Sequence, residues 1–591
     1  MTNSIIPDRV SRLREWMSRQ GLRAFITPST DPHCGEYVPS RWLSREWMSG
    51  FSGSAGIAVV TDAAAALWTD SRYFLQAASQ LDGTGFELQK EKIEGTPTQP
   101  EWIARHLRVG SVVGMDGWVC SVEYVNEVRT ALKKQGFTLR TDADPYQEIW
   151  TDRPGLPDAE VFVQPLEYAG ESSTSKLSRI RKAYRKNGAQ ALLISMLDEV
   201  AWTLNLRGSD IEYNPVFVSY LLVTDQSATL YVEPCKLTDE VRAWLQEAKV
   251  DVKNYGALAA DLKAFDGKVQ IDPAKTNYAA YSCLQQPVLS ACPVSTMKIM
   301  KNEAEIRGYH SAMLKDGIAM VRWMRWAVEA VKQGGQTELS LDAELTRLRG
   351  EQPLFRGKSF ATIMGYGAHG AIVHYEPTEE TDIPVEPRGL LLCDSGGQYQ
   401  DGTTDITRTL PLGELTDEER RDYTLVLRGW INLARVHFPK GTYDTQLDCL
   451  ARTPMWEYGI NYLHGTGHGV GSFMNVHEGP HQFRMNYMPT PLLPGMTITD
   501  EPGIYISGSH GVRHENTMLV VEDQEGLTFG PYYRFEQLTI CPIFPSPIVL
   551  EMLQKEEREW FNGYQQLCYD KLASHLDEDT RQWLFDLTRP I

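Results

Sequence analysis

The segment Leu390–Leu410, LLLCDSGGQYQDGTTDITRTL, places two aspartates in an apolar, β-rich setting. Asp394 ends the apolar run LLLCD, glycines turn the chain, and Asp405 begins a second β-like run. Strands joined in this way are expected to pair, with both carboxylates on one face. Because burying such charges is costly without compensation, the pattern indicates a bound metal ion.

The same feature recurs about a hundred residues further along the chain. TITDEPGIYI (Thr497–Ile506) and GVRHENTMLVV (Gly511–Val521) place Glu501 and Glu515 in apolar, β-rich surroundings. One such carboxylate is more often part of a salt bridge or a turn cap. Four of them beside a histidine-rich stretch predict a metal site instead.

That stretch is HGTGHGVGSFMNVHEGP (His464–Pro480), which contains three histidines. His464 and His468 have the spacing of two zinc ligands on a helix. However, each of the alternating glycines costs about 1 kcal/mol in a helix relative to alanine. The glycines therefore predict an extended strand, in which four residues span about 13 Å, so at most one of these two histidines binds the ion.

Four carboxylates and one imidazole suit hard or borderline divalent cations, typically two cations bridged by carboxylates. Such a pair lowers the pKa of a shared water and polarises a carbonyl group. The residues thus predict metal-assisted hydrolysis, most plausibly of an amide.

Composition limits the classes of protein to which the chain can belong. Its 591 residues are 42% apolar and 23% charged, which is typical of a soluble protein with two to four domains. A net charge of -19 argues against nucleic acid or an anionic membrane as a partner. The first residues show no continuous apolar region of the kind that a signal peptide has, and the chain has no apolar run of about 18 residues. Its nine cysteines are dispersed. Together these features predict a cytoplasmic protein.

The order of sequence patterns predicts an α/β (α+β) architecture of three domains. A helix with Val10, Leu13, Trp16 and Met17 on one face precedes an apolar strand, a glycine-rich turn and two further strands. A similar order recurs about 165 residues later, which predicts two copies of one α/β unit. We expect domains at 1–155, 156–296 and 297–591, the last with a helical extension from about 526 to 591.

Two patterns in the third region have simpler interpretations than ligand binding. GYGAHG (Gly365–Gly370) matches a dinucleotide fingerprint, but that motif requires a helix directly after it. AIVHYEP follows and predicts a strand, so we reject the cofactor. The apolar face of the C-terminal helix predicts a core or subunit interface; its residues are Leu550, Leu553, Trp560, Phe561 and Leu567.

With these motifs in place, the chain resembles the pita-bread metallopeptidases. SGFSGSAG, LWTDSRYFLQA, NLRGSDIEYNPVFVSY, AIVHYEP, HGTGHGVGSFMNVHEGP and DEPGIY together are similar to the three-domain Xaa-Pro aminopeptidases of the cytosolic type. The resemblance runs from about residue 8 to the C-terminus. It implies two creatinase-like α/β domains followed by a pita-bread catalytic domain, and hydrolysis of the Xaa-Pro bond at the N-terminus of peptides.

The resemblance also implies a role for individual residues. Asp394 would bind one metal, His468 and Glu501 the other, and Asp405 and Glu515 would bridge them. Glu501 would also be the general base that takes a proton from the metal-bridging water. The resemblance implies that His374 and His477 contact the scissile carbonyl and the proline side of the substrate, and that His464 lines the proline pocket. It implies that Arg513 makes a contact behind the metal ligands or on the product side. It also implies that Glu36 and Arg72 close the substrate cleft.

Several points remain open from the sequence. The resemblance favours two Mn²⁺ ions per subunit, although Co²⁺, Zn²⁺ and Fe²⁺ also suit the donor set. It implies a homodimer and peptide substrates with proline at the second position. A prolidase-type Xaa-Pro dipeptidase is the alternative, which the middle domain disfavours. A non-catalytic peptide-binding scaffold is a weaker alternative, because all five ligand-type residues are present. His514, where several relatives have an apolar residue, is predicted to point away from the metals.

Overall fold

A computed structural model describes residues 5–524 and 528–591. The chain forms two compact units: the first extends to Leu166 and from Glu171 to Val294, and the second comprises Glu167–Gly170 and Ser295–Ile591. The first two predicted domains therefore fall within one unit, and the three predicted boundaries stay predictions. The predicted start of the C-terminal extension, near residue 526, lies outside the described residues.

The first unit contains two six-stranded sheets with the same strand order. The first sheet runs β4-β3-β2-β1-β5-β6 and the second β12-β11-β10-β8-β13-β14, with antiparallel and parallel neighbours at equivalent places. The predicted duplication of one α/β unit is thus confirmed. The strands are β1 Ala24–Pro28, β2 Ile57–Thr61, β3 Ala65–Thr69, β4 Glu87–Lys90, β5 Val112–Met115, β6 Thr138–Arg140, β7 Phe162–Val163, β8 Ala191–Ile194, β9 Leu206–Arg207, β10 Tyr220–Thr224, β11 Ala228–Tyr231, β12 Val250–Lys253, β13 Lys268–Ile271 and β14 Gln286–Leu289.

Helices flank these sheets and bury the apolar stripes that their sequences predict. The first helix buries Val10, Leu13, Trp16 and Met17 as expected. The helices of this half are α1 Ile6–Arg19, α2 Ser44–Ser49, α3 Phe74–Gln80, α4 Gln99–His106, α5 Val122–Lys134, α6 Tyr146–Ile149, α7 Leu166–Ala169, α8 Ser173–Lys186, α9 Leu197–Leu204, α10 Asp239–Glu247, α11 Leu258–Ala264, α12 Tyr278–Ser282 and α13 Pro293–Ile299.

The second unit is built from small antiparallel sheets. Their orders are β15-β18-β19, β16-β17-β20, β21-β28-β27-β24, β22-β23 and β25-β26. The strands are β15 Phe355–Lys358, β16 Ile363–Tyr366, β17 Leu390–Ser395, β18 Gly397–Tyr399, β19 Gly402–Thr403, β20 Ile406–Pro411, β21 His437–Pro439, β22 Gly467–Gly469, β23 Glu478–Phe483, β24 Thr497–Asp500, β25 Gly503–Ile506, β26 His510–Arg513, β27 Asn516–Asp523 and β28 Tyr532–Gln537.

Two pairs of helices cover the outer faces of these sheets. Helices α14 and α15 pack on β17 and β20, for example through Trp323, Leu341 and Leu391. Helices α16 and α17 pack on β24 and β27 through residues such as Leu447 and Ile498. The helices are α14 Glu303–Gln333, α15 Glu338–Gly350, α16 Asp417–Ala434, α17 Asp444–Trp456, α18 Lys555–Leu572 and α19 Glu578–Leu587. No described helix is long and apolar enough to cross a membrane.

One local prediction was wrong and another is refined. AIVHYEP is not a strand: a 3-10 helix, Gly367–Ala371, follows β16, and a turn follows that helix. The apolar residues of AIVHYEP favour a strand by their composition. In the structure the segment instead forms a compact turn, and Gly370 just before it packs on the backbone of Gly511. The C-terminal helix α18 packs in the core of its own unit, where Phe561 contacts the cluster around Trp430. It begins at Lys555, so Leu550 and Leu553 of the predicted face precede it, and Leu550 is 39% exposed.

Candidate metal centre

The two aspartates of the opening segment lie on paired strands. β17 and β20 are antiparallel, with Asp394 opposite Thr407 and Ser395 opposite Ile406. Asp405 directly precedes β20, so it lies at the same end of the pair as Asp394. Both side chains are almost fully buried, at 7% and 4% exposed.

The two glutamates occupy the same kind of position on a second strand pair. Glu501 follows β24 and Glu515 precedes β27, in a register that sets Asp500 opposite Asn516. Glu515 is tied to the first pair, since its backbone N–H donates to the Thr407 carbonyl at 3.1 Å. The Thr407 hydroxyl also donates to Glu515 Oε2 at 2.7 Å. The register of two strand pairs therefore gathers four carboxylates.

His468 brings an imidazole to these carboxylates from β22. Its Nε2 lies 3.3 Å from Asp405 Oδ2 and 3.5 Å from Glu501 Oε1. Its Nδ1 donates to the Gly469 carbonyl at 2.8 Å, which leaves Nε2 as the coordinating atom. Ligand atoms of Asp405, His468 and Glu515 all lie within 4.8 Å of one another, a separation that one ion can span.

The glycines beside His468 allow neighbouring backbone to approach closely. A Cβ on Gly467 would lie 1.9 Å from the Thr499 carbonyl oxygen, and one on Gly469 2.4 Å from that of Glu478. The regular strand covers only Gly467–Gly469, with a bulge between His468 and Gly469, so it is shorter than the sequence suggested. Bare glycines thus set His468 against β24, which leads into Glu501.

The electrostatics of the cluster show uncompensated negative charge. Burial raises the pKa of Glu501, the charge of His468 opposes this shift and the charges of Asp405 and Asp394 add to it, so that the pKa is about 7. Burial and the neighbouring carboxylates likewise raise the pKa values of Asp394 and Glu515. Burial would lower the pKa of His468, but the hydrogen bond to Asp405 and the charge of Glu501 raise it to about 9.

These residues fit divalent cations. Asp394 Oδ1 is buried and has no hydrogen-bond partner among the described residues, so a lone pair is available for a ligand bond. The donor set is oxygen-rich with one imidazole nitrogen. Cations would neutralise the repulsion that raises the pKa values of the carboxylates.

A hydrogen-bonded chain supports the cluster from one side. Arg513 Nη2 donates to Asp394 Oδ2 at 2.6 Å, and its Nη1 donates to the Tyr505 hydroxyl at 2.8 Å. His464 Nδ1 faces the Gly465 carbonyl at 2.7 Å and carries the proton, so Nε2 accepts from the Tyr505 hydroxyl at 2.8 Å. Sequence reasoning missed Tyr505 and Thr407, although Tyr505 ends the motif DEPGIY.

The remaining candidate residues lie in several places. The His477 ring stands edge-on to the His468 ring, with centroids 4.4 Å apart. His374 is partly exposed in the turn after the 3-10 helix. In the first unit, Arg72 pairs with Glu36 at 3.4 Å and more closely with Asp70. His514 is fully buried, and its ring stands edge-on to the ring of Tyr423, which belongs to the hydrophobic core of the second unit.

The paired-strand scaffold and the buried set of carboxylates with one imidazole define a metallopeptidase of the pita-bread type. Family models agree along the chain: the Creatinase/Prolidase N-terminal domain matches residues 9–143 and 152–305, and Metallopeptidase family M24 matches 308–522. The C-terminal region of peptidase M24 matches residues 531–591.

Relatives that match over their whole length specify the family. The chain is 39% identical to a probable Xaa-Pro aminopeptidase P of Paracoccidioides brasiliensis, covering 99% of both chains. It is 38% identical to aminopeptidase P1 of Arabidopsis thaliana, covering 98% of this chain and 99% of that protein. The crystal structure of X-prolyl aminopeptidase from Caenorhabditis elegans, described as a cytosolic enzyme with a di-nuclear active site, superposes with a TM-score of 0.95 at 33% identity, covering 99% of this chain and 100% of that one.

This chain belongs to the Xaa-Pro aminopeptidase P family of M24 metallopeptidases. The predicted fold class, with creatinase-like N-terminal domains and a pita-bread catalytic domain, is thereby confirmed.

Proposed function

We propose that this protein is a dinuclear-metal aminopeptidase that hydrolyses the Xaa-Pro bond at the N-terminus of peptides. The observation that carries the proposal is the set of three buried carboxylates, Asp394, Asp405 and Glu515, with the partly buried Glu501 and His468 Nε2 beside them. Full-length similarity to proteins named Xaa-Pro aminopeptidase P supports the substrate class.

The ligands divide between two ions in this proposal. Asp394 would hold one ion, His468 and Glu501 would hold the other, and Asp405 and Glu515 would provide ligands to both. Two divalent cations bound there supply a polarised carbonyl and a water of lowered pKa. The metal that we propose is Mn²⁺.

The chain's own residues perform the proton transfer and hold the substrate. Glu501, whose Oε1 lies 3.5 Å from His468 Nε2, accepts a proton from the attacking water. His374 and His477 contact the scissile carbonyl and the proline side, and His464 lines the proline pocket. Arg513 fixes the orientation of Asp394 through two N–H donors. Glu36 and Arg72 remain candidates for substrate contact.

Substitution of one metal ligand tests this mechanism. Asp405→Asn preserves shape but removes a negative charge, so it should lower metal content and reduce kcat/KM for a tripeptide Xaa-Pro-Xaa on the order of 10³-fold. Glu522→Gln, an exposed position on β27, is the matched control. Metal analysis of the purified proteins should find about two ions per parent chain. Unchanged turnover in Asp405→Asn would falsify the mechanism.

A prolidase-type dipeptidase is the second candidate, and the choice of substrate separates the two. The Xaa-Pro dipeptidase from Bacillus anthracis shares the fold over only 63% of this chain, at 23% identity. We therefore expect hydrolysis of the tripeptide to exceed that of the dipeptide Xaa-Pro. The reverse preference would favour the dipeptidase.

We also propose a homodimer in the cytoplasm, in line with the cytosolic relative. An exposed apolar surface on the second unit, which we call the 456–488 patch, is available for a second copy. Asn461 links its two segments through hydrogen bonds to Trp456 and Met485. Its members are between 44 and 85% exposed: Trp456, Tyr458, Leu463, Met485, Tyr487 and Met488.

A further inference from the structure

The motif GYGAHG is not followed by an α-helix, and the structure gives it a distinctive environment. It leads from the end of β16 through a 3-10 helix into the turn that carries His374. The segment Tyr366–Tyr375, here called the His374 segment, therefore determines where that imidazole lies.

One buried carboxylate is bonded to this segment at three points. Glu338, the first residue of α15, is 0% exposed. It accepts from the Tyr366 backbone N–H at 2.8 Å and from the Tyr375 hydroxyl at 2.7 Å. His369 Nδ1 lies 3.0 Å from both carboxylate oxygens. The three bonds secure the start, the middle and the end of the segment, and the last of them is on the residue after His374.

The hydrogen bonds to Glu338 determine which ring nitrogen of His369 carries a proton. A carboxylate only accepts, so His369 Nδ1 carries a proton. Among the described residues no lysine or arginine forms an ion pair with Glu338. Its charge is instead stabilised by these donors and by the N-terminus of α15. The His369 and Tyr375 rings also contact each other, with centroids 4.3 Å apart and planes tilted by 37°.

Close backbone packing holds the segment against the strands of the metal centre. A Cβ on Gly365 would lie 2.8 Å from Gly370 Cα, and one on Gly511 would lie 1.7 Å from the Gly370 carbonyl oxygen. Gly511 is on β26, two residues before Arg513. The glycines of the motif therefore allow the segment to lie directly on the strand that carries the arginine.

The Tyr375 ring extends this link to the strand of Asp394. It packs in a small apolar cluster with Ile363 and Leu392, against which Tyr505 also packs. Ile363 is the register partner of Asp394 on the neighbouring strand. The position of Tyr375 is thus coupled to the same strands that carry a metal ligand.

We propose that Glu338 is a positioning residue that holds the His374 segment, and hence the His374 imidazole, in place against the metal centre. The proposal rests on the substrate contact of His374 in the proposed function. The simpler alternative is that Glu338 only caps α15 and stabilises the fold. The two roles differ in one respect: only in the positioning role does the effect of a Glu338 substitution on catalysis depend on the His374 imidazole.

A double-mutant cycle separates them, using kcat and KM for a tripeptide Xaa-Pro-Xaa. Glu338→Gln removes the charge that orders three donors, and we expect kcat to fall on the order of 10- to 100-fold with KM within about twofold. Tyr375→Phe removes the bond to Glu338 together with the contacts of the same hydroxyl to Thr381, and should lower kcat about threefold to tenfold. In a His374→Ala background, both effects should shrink to within about twofold.

Controls keep each result interpretable. Glu344→Gln removes a carboxylate from the same helix, where it pairs with Arg347 at the surface, and should leave kcat unchanged. If Glu338→Gln does not fold, Tyr375→Phe carries the cycle. An equal fold-loss with and without the His374 imidazole overturns the proposal, as does an unchanged kcat in the folded variants. If His374→Ala alone keeps full activity, the contact assigned to His374 is wrong and this proposal falls with it, whereas metal content and the Asp405→Asn result still test the metal mechanism.

Discussion

At the scale of single residues, His481 shows how burial sets the state of a side chain near the site. It lies on β23 with its Nε2 2.7 Å from the Thr497 carbonyl, to which it donates. Its Nδ1 is buried and has no hydrogen-bond partner among the described residues. Burial lowers the pKa of His481 to about 4, although the bond to Thr497 opposes this shift. The imidazole is therefore neutral in the folded protein at pH 7.

This shift predicts a loss of stability in acid. Between the unfolded pKa of about 6.5 and the folded value of about 4, the unfolded chain binds a proton that the folded protein does not. The contribution is complete above pH 6.5 and declines as the pH falls toward 4. From pH 7 to pH 5, His481→Gln should lose about 2 kcal/mol less stability than the parent. Urea unfolding of the metal-free proteins measures the difference, and equal losses would contradict it.

At the scale of elements, β22 can bring His468 close to its neighbouring strands because the residues on either side of it, Gly467 and Gly469, have no side chains. Gly467 faces the Thr499 carbonyl of β24, and Gly469 faces the Glu478 carbonyl of β23. Neither carbonyl can move without shifting a strand next to a site residue, since Glu501 directly follows β24 and His477 directly precedes β23. By contrast, a Cβ on Gly465 would meet its nearest atom, the Phe483 carbonyl oxygen, at 3.1 Å.

This difference predicts losses of stability of different size for two matched substitutions. Gly467→Ala should destabilise the protein by about 3 kcal/mol and lower its metal content, because β24 must move away. Gly465→Ala should cost less than about 1 kcal/mol, because a small shift suffices. Urea unfolding and metal analysis of both variants test this expectation. Similar losses in the two variants would show that close approach at Gly467 is not the cause.

At the scale of the whole molecule, exposed apolar area indicates where a second copy would dock in the proposed homodimer. The apolar face of α18 was one candidate, but most of it is buried within its own unit. The 456–488 patch instead exposes large side chains to solvent, Tyr487 at 85%. Such clustered exposure is unusual in a monomer and typical of an interface.

The proposed dimer is tested by mass in solution. The parent should scatter light as twice the mass of one chain, and a Met485→Glu, Tyr487→Glu variant should scatter as a single chain, since charge on both faces opposes association. Val109→Glu, at an exposed apolar position of the first unit, should remain dimeric. A parent that is monomeric at micromolar concentration would rule out the homodimer.

The sequence by itself determined the repeated α/β unit, the paired strands with Asp394 and Asp405, and the extended glycine-flanked backbone around His468. These follow from local periodicity and from the cost of glycine in a helix, which neighbouring residues specify. Only the tertiary structure decided that AIVHYEP forms a turn, that Tyr505 and Thr407 contact site residues, and that Glu338 bonds the His374 segment. Glu338 lies 37 positions before its partner Tyr375 in the chain, and Thr407 108 positions before Glu515, so nothing local predicts these contacts. They arise because separate strand pairs and a helix terminus pack against one another, and packing of that kind depends on the complete fold.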